Sequence, residues 1–255
     1  MRAVLRVLLI ALTVVVLLPA PAHAGVKPLP VGPDVDYQLG GAAPVPANVG
    51  IVVRDRRAAP AAGVYNVCYV NAFQTQPDER RFWRAHRRLL LERAGRPVTD
   101  QAWGEWLLDT RTAAKRSRLA GIVGRWVDGC ARSGYDGVEL DNLDSWSRSH
   151  GLIRPRDNQT FARLLVARAH LAGLAVAQKN WAAWDGRRAG FDFAIAEECG
   201  RWRECGSYVD HYGSRVLVVE YRRRDFDRTC SRWGARLSVV LRDRELTPGG
   251  VRRWC

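Results

Sequence analysis

Several carboxylate side chains follow directly after short apolar runs of the sequence. Asp141 ends the run of residues 137–141, and Glu197 follows the run of residues 193–196. Cleavage of a glycosidic bond needs two carboxyl groups, one that protonates the leaving oxygen and one that attacks the anomeric carbon or activates water. We therefore interpret Asp141 and Glu197 as a candidate catalytic pair. Lys179 ends a third run, and its ammonium group would favour the ionised form of Asp141.

Each of these residues also has a purely structural interpretation. Asp141 would cap the turn that follows its run, and Glu197 with its neighbour Glu198 would form surface ion pairs with arginines. Glu139 is interpreted as a polar core residue or as the partner of an arginine. Six tryptophans would either pack in the core or offer flat faces to sugar rings: Trp103, Trp106, Trp146, Trp181, Trp184 and Trp202.

These residues need a scaffold that brings strand ends together. Short apolar runs predict strands at residues 37–39, 50–53, 64–70, 137–141, 174–178, 193–196, 216–221 and 237–241, with 106–109 as a possible further strand. Helical periodicity and end signals predict helices at 77–94, 111–133 and 157–172. Alternating strands and helices indicate a mostly parallel sheet. We expect a single-domain (β/α)8 TIM barrel, with a doubly wound open sheet as the alternative. In a barrel, strand-end residues line the active site.

The first 24 residues have the pattern of a secretory signal peptide. Arg2 and Arg6 give the segment a basic start, and residues 4–18 form a nearly unbroken apolar run. Ala22 and Ala24 form a small-residue cleavage site. The alternative is an uncleaved membrane anchor, but the run is shorter than the roughly 20 residues that span a bilayer. We expect a secreted, extracellular protein with a hydrolase domain over residues 25–255, and no membrane contact after cleavage.

The cysteine count favours disulfide bonds. An even number of cysteines in an exported chain indicates disulfide bonds, although six cysteines allow fifteen connectivities. No C-x-x-C pair is present, so we expect no zinc site, and the spacing of His86, His150, His170 and His211 does not suggest another metal site. The expected pairs are Cys199–Cys205, Cys230–Cys255 and Cys68–Cys130.

The formal net charge of +14 comes almost entirely from arginine. The arginines are spread along the chain, which is typical of a basic solvated surface, and we expect no nucleic-acid partner. The sequence contains no G-x-S-x-G, P-loop, G-x-G-x-x-G or H-E-x-x-H motif. A polysaccharide substrate and a monomeric state are expected.

An ordered set of segments, spanning about residues 36–240, resembles glycoside hydrolase family 114, the endo-α-1,4-polygalactosaminidase-like barrels. The segments are Y-Q-L-G (37–40), V-C-Y-V (67–70), W-G-E-W-L-L-D-T-R (103–111), G-Y-D-G-V-E-L-D-N-L-D (134–144), K-N (179–180), F-D-F-A-I-A-E-E-C (191–199) with E-C (204–205), and V-E-Y (219–221). The third segment departs from the family pattern by one residue around Trp106.

The resemblance implies a (β/α)8 barrel without a cofactor that cleaves α-1,4-linked galactosamine polymer. It implies Asp141 as the nucleophile and Glu197 as the general acid/base, in preference to Glu198, whose position the family fills with Glu or Gln. A retaining mechanism places the two carboxyls about 5 Å apart, and an inverting one about 6.5–9.5 Å. The implied substrate-binding residues are Asp36, Tyr69, Asp109, Arg111, Asp144, Lys179 and Glu220.

Two other functions are compatible with the sequence. One is a catalytically inactive carbohydrate-binding barrel at the cell envelope. The other is a basic adhesion protein that binds an anionic polymer, which predicts arginines gathered on one side and salt-dependent binding. A chain with this charge would repel a polycationic substrate at long range. Either a locally acidic pocket overcomes this repulsion, or the substrate is acetylated, neutral or acidic.

Overall fold

The computed structural model describes residues 25–255, so the predicted signal peptide lies outside the described residues. Eight strands form one sheet in which each strand pairs in parallel with the next along the chain. The strands are β1 Asp34–Gln38, β2 Val49–Asp55, β3 Tyr65–Asn71, β4 Gly137–Asp141, β5 Ala175–Lys179, β6 Phe193–Glu197, β7 Val216–Glu220 and β8 Ser238–Arg242. A short strand β9, Arg252–Trp254, pairs antiparallel with β8.

The sheet closes because β8 returns to the side of β1. The Val35 amide donates a hydrogen bond to Ser238 Oγ at 2.7 Å, and Trp254 Nε1 on β9 donates to the Val35 carbonyl at 2.7 Å. The Arg242 guanidinium on β8 also donates to Asp36 Oδ1 at 3.2 Å. The predicted (β/α)8 barrel is thereby confirmed, and an open doubly wound sheet is excluded because its first and last strands would lie apart.

Within residues 25–255, six α-helices and four 3₁₀ turns surround the strands. The helices are α1 Arg80–Ala85, α2 Ala113–Arg132, α3 Pro155–Leu171, α4 Cys199–Trp202, α5 Cys205–Tyr212 and α6 Arg223–Trp233. The 3₁₀ turns are Pro77–Glu79, Arg87–Leu89, Ser145–Arg148 and Gly186–Ala189. The helices predicted at 111–133 and 157–172 are confirmed as α2 and α3. The β1–β2 and β2–β3 connections, both inside the described range, are loops.

The segment between β3 and α2 differs from the prediction. The helix predicted over 77–94 is wrong, because only α1 and two 3₁₀ turns form there, and Glu92–Arg93 pairs with Arg96–Pro97 in a hairpin. The possible further strand at 106–109 forms only in part and outside the barrel: Glu105–Trp106 pairs with Thr99–Asp100 in a second hairpin, and Leu107 and Leu108 form isolated bridges. We call residues 72–112 the insertion. Its hairpins pack on a small separate apolar cluster that includes Leu91 and Leu107.

The core has two layers, set by the alternation of side chains along each strand. Val35, Phe193, Val219 and similar residues fill the inside of the barrel. The strand residues at the alternate positions point outward. Together with the apolar faces of α2 and α3, they fill the layer between strands and helices. Most barrel strands are therefore apolar on both faces, with polar side chains at their ends, whereas the outer face of β1 carries Asp36 and Gln38.

Three disulfide bonds join the expected pairs: Cys68–Cys130, Cys199–Cys205 and Cys230–Cys255. The first ties β3 to α2, because Cys68 faces outward from its strand toward the helix. The third ties α6 to the residue that follows β9. Between residues 25 and 255, we find no helix with the length and hydropathy needed to cross a bilayer.

Candidate active site

A cavity of about 400 Å³, which we call the main cavity, opens where the barrel strands end. Asp141, Lys179 and Glu197 are the last residues of the neighbouring strands β4, β5 and β6, and Tyr221 directly follows β7. All four side chains point to the inside of the barrel, because they stand at the same alternate positions of their strands as the inner core residues. The parallel order of the strands therefore brings them together above the inner core.

The Lys179 ammonium group is the centre of this cluster. Its Nζ lies 3.2 Å from Asp141 Oδ1 and 3.4 Å from Glu197 Oε2, so one cation contacts both predicted catalytic carboxylates. The Lys179 side chain is only 2% exposed. Burial opposes its charge, but the surrounding carboxylates outweigh burial and raise the pKa of Lys179. The ammonium therefore stays charged between the two carboxylates.

Asp141 is held in its ionised form by three donors. Burial acts to raise its pKa, but the Lys179 ammonium, the Tyr69 hydroxyl and the Asn142 amide together hold the pKa of Asp141 below its usual range. Tyr69 OH donates to Oδ2 at 2.7 Å and the Asn142 amide donates to Oδ1 at 2.7 Å. A carboxylate that is charged, buried and aimed into a cavity has the properties of a nucleophile.

Glu197 has fewer constraints and more solvent. Its carboxyl is 24% exposed, and Oε1 accepts a hydrogen bond from the Tyr221 hydroxyl. The Glu197 amide donates to Asn180 Oδ1 at 2.9 Å, which fixes the strand end that carries the side chain. Glu197 therefore faces both the solvent and the cavity, which is the position that a general acid/base requires.

A buried ion pair lies beneath the two carboxylates. Glu139 Oε1 lies 2.6 Å from Lys179 Nζ and also accepts from Tyr37 OH at 2.6 Å. Burial raises the pKa of Glu139 to about 7, in spite of the ammonium beside it. The sequence suggested an arginine as the partner of Glu139, but the partner in the structure is Lys179. This ion pair fixes how far the ammonium group reaches toward the main cavity.

A third carboxyl in the main cavity, Glu105, was missed at the sequence level. Burial and then the charge of Asp141 raise the pKa of Glu105 to about 8. Asn142 Nδ2 donates to Glu105 Oε2 at 3.2 Å and lies 3.4 Å from Asp141 Oδ2, so one amide joins the two carboxyls. The insertion delivers Glu105 from its second hairpin, and the only signal in the sequence was the family-like segment 103–111.

The main cavity is strongly acidic although the chain is basic. Seven carboxyl groups line it against three cations, and the raised pKa of Glu105 keeps that one carboxyl protonated at neutral pH. The carboxyl groups are Asp55, Asp100, Glu105, Asp141, Asp144, Glu197 and Glu245, and the cations are Arg148, Lys179 and Arg244. Arg148 pairs with Asp144 at 2.8 Å and with Asp100 at 2.9 Å, which leaves the remaining carboxylates as the dominant charge. Such a cavity attracts cationic groups.

Three of the seven predicted substrate-binding residues line the main cavity: Tyr69, Asp144 and Lys179. The structure places two others on the outer face of their strands, because Val35 and Val219 take the inner positions. Asp36 is buried and pairs with Arg242 and Arg252. Glu220 is buried and accepts from the Gly200 amide at 2.7 Å.

The remaining two predicted residues pair with each other outside the main cavity. Asp109 in the insertion accepts from Arg111 Nε at 2.8 Å and from Nη2 at 2.7 Å. The Asp109 carboxylate also contacts the ammonium of Lys115 in the first turn of α2. These contacts join the end of the insertion to the start of α2 and do not reach the cavity lining.

A second cavity of about 400 Å³, which we call the side cavity, adjoins the main one. The two share six lining residues: Trp103, Asp144, Asn180, Glu197, Tyr221 and Arg244. Four of the tryptophans considered as sugar platforms line the side cavity: Trp103, Trp146, Trp181 and Trp202. Trp146 and Trp181 pack together with ring centres 5.4 Å apart, whereas Trp103 and Trp202 are 45% and 61% exposed.

Among the described residues, Cys199, Cys205 and Glu220 are the one group of potential metal ligands, with atoms within 4.8 Å of one another. The two sulfurs are joined in a disulfide and are not thiolates, so this group does not have the chemistry of a metal site.

A closed parallel barrel with paired carboxylates at its strand ends defines the class of barrel glycosidases. The sequence model of glycoside-hydrolase family GH114 matches residues 18–255, and the chain belongs to this family. The protein is accordingly a glycoside hydrolase. No curated protein sequence matches the chain.

Two solved structures share the fold. The structure of Aspergillus fumigatus Ega3 in complex with galactosamine is similar with a TM-score of 0.74 and 19% identity, over 92% of this chain and 100% of that one. The glycoside hydrolase domain of PelA from Pseudomonas aeruginosa is similar with a TM-score of 0.60 and 18% identity, over 86% of this chain and 98% of that one.

Proposed function

We propose that the protein is a secreted, monomeric hydrolase that cleaves α-1,4-linked galactosamine polymer with retention of anomeric configuration. Asp141 is the nucleophile and Glu197 the general acid/base. The observation that carries this proposal is the contact of both carboxylates with one buried ammonium, that of Lys179. It fixes their relative positions, and the Tyr69 hydroxyl and the Asn142 amide further stabilise the Asp141 anion.

The first chemical step uses the two carboxyls in opposite roles. Asp141 Oδ attacks the anomeric carbon while the bond to the leaving oxygen breaks, and protonated Glu197 gives its proton to that oxygen. In the second step Glu197 takes a proton from water, the water oxygen bonds to the anomeric carbon, and the Asp141 carboxylate leaves. Each residue ends the cycle in the protonation state in which it began.

The distances support retention over inversion. Lys179 Nζ lies 3.2 Å from Asp141 Oδ1 and 3.4 Å from Glu197 Oε2, which limits the distance between these two oxygens. Their greatest possible separation is about equal to the shortest carboxyl separation of an inverting glycosidase, ~6.5 Å. The two oxygens must be closer than that unless the ammonium lies on the straight line between them. Little room is left for a water molecule that attacks from the Asp141 side.

The charge of the main cavity supports an amino sugar. Even with Glu105 protonated, carboxylates outnumber cations in the lining, which suits the ammonium groups of deacetylated galactosamine. Ega3, which shares the fold, is described in complex with galactosamine. We assign sugar contacts to Tyr69, Asp144 and Lys179. Asp36, Asp109, Arg111 and Glu220 support the site through the contacts described above.

The test is the release of new reducing ends from galactosamine polymer in fully deacetylated, partly acetylated and fully acetylated forms. Wild type and Asp141→Asn are compared, with far-ultraviolet circular dichroism to show that both are folded. Release from the deacetylated form by wild type alone supports the proposal. Binding of polymer without release by wild type would support the inactive carbohydrate-binding barrel instead. Release only from the acetylated form would overturn the proposed substrate.

A further inference from the structure

The two adjoining cavities share the acid/base but not the nucleophile. Glu197 and Tyr221 line both cavities, whereas Asp141 lines only the main cavity. In a retaining glycosidase the nucleophile bonds to the sugar that stays on the enzyme, and the acid/base protonates the oxygen of the sugar that leaves. The staying sugar therefore belongs in the main cavity, and the side cavity lies on the leaving side of Glu197.

The wall of the side cavity is a short loop that starts two residues after Glu197. We call residues 199–205, closed by the Cys199–Cys205 disulfide, the cystine loop. The Glu204 amide also donates to the Cys199 carbonyl at 2.9 Å. Glu220 supports the loop from below through the Gly200 amide at 2.7 Å. The loop is thus a rigid attachment to the end of β6 and carries two residues into the side cavity, Trp202 and Glu204.

The charges on this wall differ in how far they are already satisfied. Glu198 is occupied, because Arg201 Nη1 donates to its two oxygens at 2.8 and 2.9 Å. Glu204 has no ion pair or side-chain hydrogen bond within residues 25–255, although it is partly buried, and burial followed by the Asp144 charge raises its pKa. A partly desolvated carboxylate without a partner gains most from an incoming cation.

Trp202 supplies the apolar part of a sugar site. Its ring is 61% exposed, and the Arg201 guanidinium lies over it at 4.6 Å from the ring centre. A guanidinium can cover one face of an indole, and the opposite face remains for a sugar ring or an ammonium group. The combination of an open indole face and an unpaired carboxylate is complementary to a hexosamine, which has both an apolar ring face and a cation.

We infer that the side cavity is the subsite for the leaving sugar, and that it binds a hexosamine with a free amino group through Glu204 and Trp202. This inference rests on the proposed function and extends it. A polymer that occupies both cavities has sugars on either side of the bond that breaks, so the enzyme prefers a deacetylated sugar on the leaving side. The same subsite receives the acceptor hydroxyl when the glycosyl–Asp141 bond is broken by a sugar in place of water.

The experiment uses one substrate with two bonds to cut. A deacetylated galactosamine oligomer carries nitrophenol at its reducing end, so that internal cleavage places a sugar in the side cavity and nitrophenol release does not. Wild type is compared with Glu204→Gln and Trp202→Ala. We expect each variant to lower kcat/KM for internal cleavage about tenfold, with nitrophenol release retained. Asp210→Asn is the matched control, an exposed carboxylate on α5 that lines neither cavity and should leave both rates unchanged.

A second arm identifies the ammonium contact. When the sugar on the leaving side is N-acetylated, it has no cation for Glu204, so we expect Glu204→Gln to slow its cleavage less than twofold. Equal losses with both sugars, equal losses of both products, or no loss in either variant would overturn the subsite. If wild type produces neither product while it remains folded, the proposed function itself fails, which is a different result from an active wild type with unaffected variants.

Discussion

Lys179 Nζ lies 2.6 Å from Glu139 Oε1 at a depth where both side chains are at most 2% exposed. The pair is not isolated, since Asp141 and Glu197 contact the same ammonium from above. One cation therefore faces three carboxyls, and the site depends on it both for charge balance and for position.

Replacement of Lys179 should be costly. Lys179→Met leaves Glu139, Asp141 and Glu197 without their cation, and we expect a loss of about 3–5 kcal/mol in the free energy of unfolding. Urea unfolding at pH 7 measures this loss, which should shrink at lower pH as the carboxyls take up protons. The control is Lys27→Met, which removes an exposed ion pair with Asp136 and should cost at most about 1 kcal/mol. Equal losses in both variants would contradict the central role of Lys179.

The roles of the two carboxylates can be separated by azide rescue. Asp141→Gly and Glu197→Ala should each lower kcat by about 10²–10⁴-fold. With azide, the first variant should give a β-glycosyl azide, because azide attacks from the vacated side. The second should give an α-glycosyl azide, because azide opens the glycosyl–Asp141 bond. Proton NMR of the products distinguishes them, and the reverse assignment would exchange the roles of the two residues.

Glu105 should make stability depend on pH. Its pKa is raised to about 8 in the folded state, whereas the unfolded chain releases this proton near pH ~4.3. The folded state therefore holds more protons between these values, and the contribution of Glu105 to stability is lost as pH rises toward about 8. We expect Glu105→Gln to flatten the fall in melting temperature from pH 5 to 9. The exposed pair variant Glu92→Gln serves as the control and should leave the slope unchanged.

Gly200 tests the support of the cystine loop. A Cβ at this position would overlap Thr229 Oγ1 and lie 2.8 Å from Glu220 Oε1, so Gly200→Ala must displace the loop or the residues under it. We expect at least a tenfold loss of polymer cleavage, with the fold retained by circular dichroism. Gly129→Ala is the control, because its nearest neighbour is the flexible end of Arg132 at 3.9 Å. A Gly200→Ala enzyme with full activity would show that the loop can move without consequence.

The barrel, and the position of Asp141 and Glu197 at its strand ends, could be predicted from sequence because buried parallel strands leave a simple pattern. Apolar runs such as those before Asp141 and Glu197 end where solvent begins, and polar side chains appear there. The same pattern could not separate the inner face of a strand from the outer one, since both are apolar. Glu220 therefore looked equivalent to Asp141, although the two side chains lie on opposite faces of their strands, whereas Asp36 was expected at the site only through the family resemblance.

The insertion could not be predicted for a different reason. Its sequence between residues 77 and 94 has the composition of a helix, but local preference is weak beside tertiary packing. Leu91 and Leu107, which lie next to the two hairpins, are buried in one apolar cluster. This packing favours the hairpins over a continuous helix. Glu105 arrives at the site from this segment, and a carboxyl placed by packing has no periodic signal in the sequence.

The Cys199–Cys205 disulfide encloses a ring of a few residues that begins two residues after Glu197, the proposed acid/base, and carries Trp202 and Glu204. Its geometry is thus tied to oxidation. A newly made chain with reduced thiols would have its strand-end carboxylates but an unclosed loop beside them. Under the proposed function, the ability to cleave a long polymer would mature only after the chain had reached an oxidising compartment, which would separate synthesis of the enzyme from use of its activity.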